Sequence, residues 1–137
     1  VYVAGLGALW SDSEDRGLYK TTDGGKTWEK ILYVDAKTGC ADVVMDPSNP
    51  NILFASMWQF RRKGWEFASG GEGSGFYKST DGGKTWKKLG EAQGLPGGVI
   101  GRTCIAIAPS NTNVVYAMVE SKKSAIYRSD DKGETWK

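Results

Sequence analysis

The sequence predicts an all-β chain of short antiparallel strands joined by tight turns, and three observations support this. Glycine supplies 19 of 137 residues, about twice its ~7% share in ordinary proteins. Six Trp and six Tyr add strand-formers to that stock of turn-formers. One eight-residue segment also recurs three times, each copy following a short alternating run. The length suits a single domain of average size.

The recurring segment runs Thr21–Trp28, Ser79–Trp86 and Ser129–Trp136, with the pattern S/T-x-D-x-G-x-T-W. Each copy reads as a hairpin turn. The carboxylates of Asp23, Asp81 and Asp131 can accept backbone N–H groups two residues on, and Gly25, Gly83 and Gly133 supply positive φ. The leading hydroxyl can pin the same loop. Trp28, Trp86 and Trp136 start the return strand and are expected to bury their rings in the core. Before the turns stand Gly17-Leu18-Tyr19-Lys20, Gly75-Phe76-Tyr77-Lys78 and Ala125-Ile126-Tyr127-Arg128. A second repeat lies between the turns. Asp46–Ala55 matches Ala108–Ala117, each with a Pro-Ser-Asn turn leading into an apolar strand.

These residues resemble the Asp-box, or BNR, repeat of sialidases, xyloglucanase-like glycoside hydrolases and sortilin-type receptors. The resemblance covers essentially the whole chain. It implies a β-propeller in which each repeat is one four-stranded antiparallel blade, with the box joining the third and fourth strands. On that template residues 1–32 form a partial blade without its innermost strand, with strands near Val1–Ala4, Gly17–Thr21 and Thr27–Leu32. Residues 41–89 form a full blade from Ala41–Met45, Ile52–Met57, Gly75–Ser79 and Thr85–Leu89. Residues 102–137 form another from Arg102–Ala108, Val114–Val119, Ala125–Ser129 and Thr135–Lys137. A closed propeller has more blades than this, and open apolar sheet faces are unfavourable in water. The remaining blades of the same chain, or further copies of it, are therefore expected partners.

Composition excludes several chemistries. The formal net charge of +2 provides no broad basic footprint, so no nucleic-acid partner is expected. The absence of His removes His triads, His zinc ligands and His proton shuttles. Two Cys cannot build a zinc site alone, and no metal or cofactor is expected. Cys40 and Cys104 fall in adjacent blades, where they either staple the two or remain reduced. No apolar run approaches the ~20 residues of a membrane span. The run Gly70–Gly73 with Ser74 and Gly75 lacks the ending of a phosphate loop and precedes a strand.

Strand direction puts the boxes and both Pro-Ser-Asn turns on one face and the irregular connections on the other. That second face collects Leu9–Arg16, a long loop from Trp58 to Ser74, and the connectors Tyr33–Cys40 and Gly90–Gly101. Long loops on a rigid scaffold often carry function, and the resemblance also implies binding opposite the boxes. Candidate ligand-binding residues there are Trp10, Trp58, Arg61, Arg62, Trp65, Glu66 and Arg102. Trp rings stack on sugar faces, and Arg pairs with carboxylates or hydroxyls. Glycoside hydrolysis needs two carboxyl groups flanking the bond, roughly 5–9.5 Å apart. Asp12, Glu14, Asp15, Asp35, Asp42, Glu66 and Glu72 are the acids on or near this face, and sequence spacing pairs none of them. Asp42 lies in an inner strand, either among apolar groups or facing a wet channel. The sialidase Arg-Ile-Pro motif is absent.

The function that follows from the resemblance is a carbohydrate-directed propeller segment like those of BNR-repeat glycoside hydrolases, supplying scaffold and part of a binding face. The alternative is a sortilin-like scaffold for a protein or peptide ligand. Either reading implies a secreted, periplasmic or otherwise extracytoplasmic setting.

Overall fold

The computed structural model describes residues Val1–Lys137. It contains eleven strands in three antiparallel sheets and one short 3-10 turn at Glu91–Gln93. The first sheet has the order β1 (Tyr2–Gly5), β2 (Gly17–Lys20), β3 (Glu29–Leu32). The second runs β4 (Thr38–Asp46), β5 (Asn49–Lys63), β7 (Gly75–Ser79), β8 (Lys87–Leu89), with β6 (Glu66–Ser69) paired to the far end of β5. The third places β10 (Val115–Val119) between β9 (Thr103–Ile107) and β11 (Ala125–Ser129). This is the all-β propeller segment expected from the repeats.

Period-two alternation sends opposite faces of the second sheet into two different cores. Phe54 and Phe76 point toward the third sheet and join Leu89, Ile105, Val115, Ala117, Val119 and Trp136. Their rings stack at 5.7 Å. Ala55 and Met57 point the other way, toward Leu18 and Cys40, with Tyr2, Ile31, Tyr77 and Trp86 packed around them. The inner strands are joined directly as well. The Asp42 carboxylate accepts the Ile105 N–H at 2.9 Å, tying β4 to β9. Asp42 thus acts as an inter-sheet strap.

The three boxes fold alike. In each, the leading hydroxyl donates to the Asp Oδ1 (2.8, 2.8 and 2.7 Å) and accepts from the N–H of the fifth residue (2.9, 2.9 and 2.7 Å). The same Oδ1 accepts the N–H of the following Thr, and Oδ2 accepts its hydroxyl. These bonds favour the ionised form. Asp81 and Asp131 are lowered to about 2, first by the side chains of Thr85 and Thr135 and next by their backbone amides. Asp23 lies below the usual carboxylate range for the same reason, through Thr27. The fifth residue is left-handed in all copies, with φ of 90°, 85° and 82° at Gly25, Gly83 and Gly133. The fourth is left-handed too, and Lys132 adopts that conformation without being glycine. Its N–H bonds the Asn113 carbonyl as Gly82 bonds that of Asn51, so the second and third boxes each lie beside the Pro-Ser-Asn turn of their own sheet.

Three expectations need correction. The stretch from Trp58 to Ser74 is not an irregular loop: β5 continues to Lys63 and returns through Gly64-Trp65 as β6. Phe60, Arg61, Arg62 and Lys63 pair with Ser69, Ala68, Phe67 and Glu66, forming a ribbon that projects beyond the sheet. The segment Thr135–Lys137 is not a regular strand, although Lys137 and Arg128 exchange both backbone hydrogen bonds. Trp28 is not core. It is 46% exposed, whereas Trp136 is buried and Trp86 is half-buried. The cause is directional, because each box Trp packs onto the sheet before its own, as Trp136 packs edge-on against Phe76.

A substitution series tests that directional packing. A Cβ at Gly133 would lie 2.6 Å from a Phe54 ring carbon, whereas one at Gly24 meets nothing within 4 Å. Gly24→Ala is expected to cost only the left-handed backbone penalty of about 1–2 kcal/mol. Gly133→Ala should cost clearly more, and Phe54→Ala about 3–5 kcal/mol, as read from urea midpoints. Equal losses at Gly24 and Gly133 would contradict the packing.

Acid titration tests the boxes. Unfolded Asp titrates near ~3.9, above the native values, so the stabilisation is complete above that pH and fades as pH falls toward about 2. Asp81→Asn should flatten part of this acid limb in a thermal scan, and an unchanged limb would count against it.

Candidate binding face

The face opposite the boxes is organised around two arginines and the β5–β6 ribbon. Arg16, just before β2, is buried, with its guanidinium 4.3 Å from the centre of the Phe60 ring. Its Nη2 donates to the carbonyls of Ala8 (2.7 Å) and Ser11 (3.1 Å), folding the 6–16 loop around it. Burial and the neighbouring Arg61 charge lower its pKa, against the opposing pull of Asp12 and Asp35. Sequence reasoning missed Arg16. Nothing marks a charged residue at the end of a polar loop as buried, and its apolar platform arrives from Phe60, distant in the chain.

Arg61 holds the same loop from outside. It pairs with Asp12 and donates Nη1 to the Trp10 carbonyl at 3.1 Å. The Trp10 backbone is thereby fixed while its ring stays 60% exposed. Arg62 lies over the Phe67 ring at 4.8 Å, on the opposite side of the ribbon from its predecessor. Lys63 pairs with Glu66 at 3.1 Å across the ribbon end. Trp65 occupies the two-residue turn between them and is 86% exposed.

A second group forms at the ribbon's root. Trp58 is packed against Phe60 at 4.5 Å, with the Arg102 guanidinium 5.6 Å from its ring. Its Nε1 donates to Ser69 Oγ, which donates to Glu120 Oε2 at 2.7 Å. That same oxygen accepts the Arg102 N–H. The structure therefore joins Trp58 to Arg102 and Arg61 to the Trp10 loop, and gives Glu66 to Lys63. Trp58 is buried, so its rings serve packing, whereas Trp10 and Trp65 present theirs to solvent.

Other residues named from the sequence stand apart. Glu14 accepts the Tyr33 hydroxyl, and Asp35 accepts the Lys37 N–H. Cys40 and Cys104 are both free thiols. Burial pushes the Cys40 thiol up to about 12, leaving it protonated and unreactive. No helix is long and apolar enough to cross a membrane.

Comparison with known proteins agrees with the repeat architecture. The chain is 28% identical over 145 aligned positions to xyloglucanase Xgh74A of Acetivibrio thermocellus, an alignment covering 88% of this chain. It spans only 16% of the length of that relative. Residues 10–137 match the family described as photosynthesis system II assembly factor YCF48. With three Asp boxes, the sheets they close and this match over most of its length, the chain belongs to that family of BNR-repeat propeller proteins.

Proposed function

We propose that this segment supplies part of a carbohydrate-binding face in a larger, extracytoplasmic propeller, with residues 1–32, 41–89 and 102–137 serving as successive blades. The observation carrying this reading is the pair of indole rings, Trp10 and Trp65, held out to solvent from anchored backbone on the face opposite the boxes. An indole presents a broad apolar face and a polar edge, which suits a pyranose ring with its axial C–H groups and peripheral hydroxyls. Arg61 and Arg62 add N–H donors beside these rings. The similarity to a xyloglucanase supports a sugar ligand.

Binding is a better reading than cleavage for this segment. Four acids of this face are engaged: Asp12 by Arg61, Glu66 by Lys63, Glu14 by Tyr33, and Glu120 by Ser69 and Arg102.

Glycan arrays test the proposal. Trp65→Ala and Trp10→Ala should each weaken retention by about two- to tenfold, the loss of one stacked ring. Arg61→Ala should act through the Trp10 loop and weaken retention by a similar factor. Unchanged retention in all three variants would overturn the sugar reading.

One observation favours a protein or peptide ligand instead. The ribbon gathers Trp65, Phe67 and Arg62 on one projection, residue types that dominate protein interfaces, and the matching family is named for an assembly factor. Partner capture that Trp65→Ala abolishes, and that oligosaccharides do not compete away, would establish this reading.

A further inference from the structure

The ribbon formed by β5 and β6 has two unlike faces, because side chains alternate along its strands. It grows from the middle sheet, which has a neighbour on each side. One face carries Arg61 and Lys63, and each has an acid of its own: Asp12 takes Arg61, and Glu66 takes Lys63. The other face carries Arg62, opposite Phe67 in the register. Arg62 takes part in none of the ion pairs of the molecule. Three consecutive cations thus meet two acids, and the surplus charge sits on the Phe67 side.

That charge is held in place. The Arg62 guanidinium lies 4.8 Å from the centre of the Phe67 ring. Phe67 meets Trp58 edge to face at 6.0 Å, and Arg102 lies 5.6 Å from the centre of the Trp58 ring. Trp58 is itself pinned through Nε1 to Ser69. The result is a ladder that runs Arg62, Phe67, Trp58, Arg102, with a guanidinium at each end. A ring beneath a guanidinium fixes its plane and takes none of its N–H groups. Arg62 is exposed, so its edge donors are turned to water in a fork that fits the two oxygens of a carboxylate.

We propose that the ligand of this face is an acidic polysaccharide and that Arg62 selects for a sugar carboxylate; this rests on the carbohydrate reading above and narrows it from sugars in general to chains of uronic acids. The Trp65 ring, at the ribbon tip, takes the apolar face of one sugar. The Arg62 fork takes a carboxylate of the same chain. Arg102, at the far end of the ladder, meets a second carboxylate of a chain that repeats its charge. A neutral polysaccharide would leave both guanidiniums unmatched. An acidic peptide matches the charge but offers Trp65 no ring face of axial C–H groups.

Titration calorimetry of the full chain with oligogalacturonate and with its methyl ester tests this, because the two share every ring and differ in charge. The free acid should bind about three- to tenfold more tightly at low salt. That preference should shrink as salt screens an exposed pair. Arg62→Gln should remove the preference by weakening the acid while leaving the ester unchanged, with unaltered circular dichroism because Arg62 is exposed. Trp65→Ala should weaken acid and ester alike. Equal binding of acid and ester, a preference that survives Arg62→Gln, or binding confined to neutral glycans overturns the proposal and leaves the carbohydrate reading standing. Oligoglutamate of matched charge binding as tightly as the uronate overturns it in favour of an acidic peptide. If no glycan binds, acidic or neutral, both readings fall.

Discussion

Everything in this fold depends on a bare stretch of backbone lying against an aromatic ring of the preceding sheet. At Gly133 the chain turns through left-handed φ close enough to Phe54 that a single added carbon would collide with it. Around that contact the box builds its own rigidity through the Asp131 carboxylate, so the turn arrives already shaped. The carboxylate is therefore part of the packing although it lies near the surface. It gives the glycine and the indole a fixed geometry, and these join one sheet to the next.

The repeat was legible because local chemistry enforces it. Hydroxyl, carboxylate, glycine and indole at fixed spacing admit one turn, and three copies of that turn imply three sheets. What the sequence could not show was direction. Trp28, Trp86 and Trp136 are identical in their boxes, yet their burial differs because it depends on which sheet precedes each one. The ribbon was missed for a related reason. Its run of Arg61, Arg62 and Lys63 reads as a solvated loop, while the pairing that makes it a strand comes from Glu66–Ser69 across a turn without an Asn-Gly or Asp-Gly signal.

The candidate face was legible in part. Trp10, Arg61 and Trp65 stand where strand direction puts them, opposite the boxes. The grouping was not readable, because Arg61 reaches Trp10 and Asp12 from a different sheet. Arg16 was invisible for the same reason. Its burial is created by Phe60, and the loop wraps the guanidinium with carbonyls that carry no side-chain signature. Asp42 shows the converse, since its position suggested chemistry and its carboxylate is used to bond the next inner strand.

One-way packing of each box on the sheet before it gives the molecule a polarity that its near-identical repeats conceal. Each sheet couples mainly to its nearest neighbours, so cooperativity passes along the array as in a one-dimensional lattice. The middle sheet packs against a neighbour on each of its faces, through Phe54 and Phe76 on one side and Ala55 and Met57 on the other. Interruptions on the binding side leave this coupling untouched, which lets loops there diverge in length while the boxed side stays uniform.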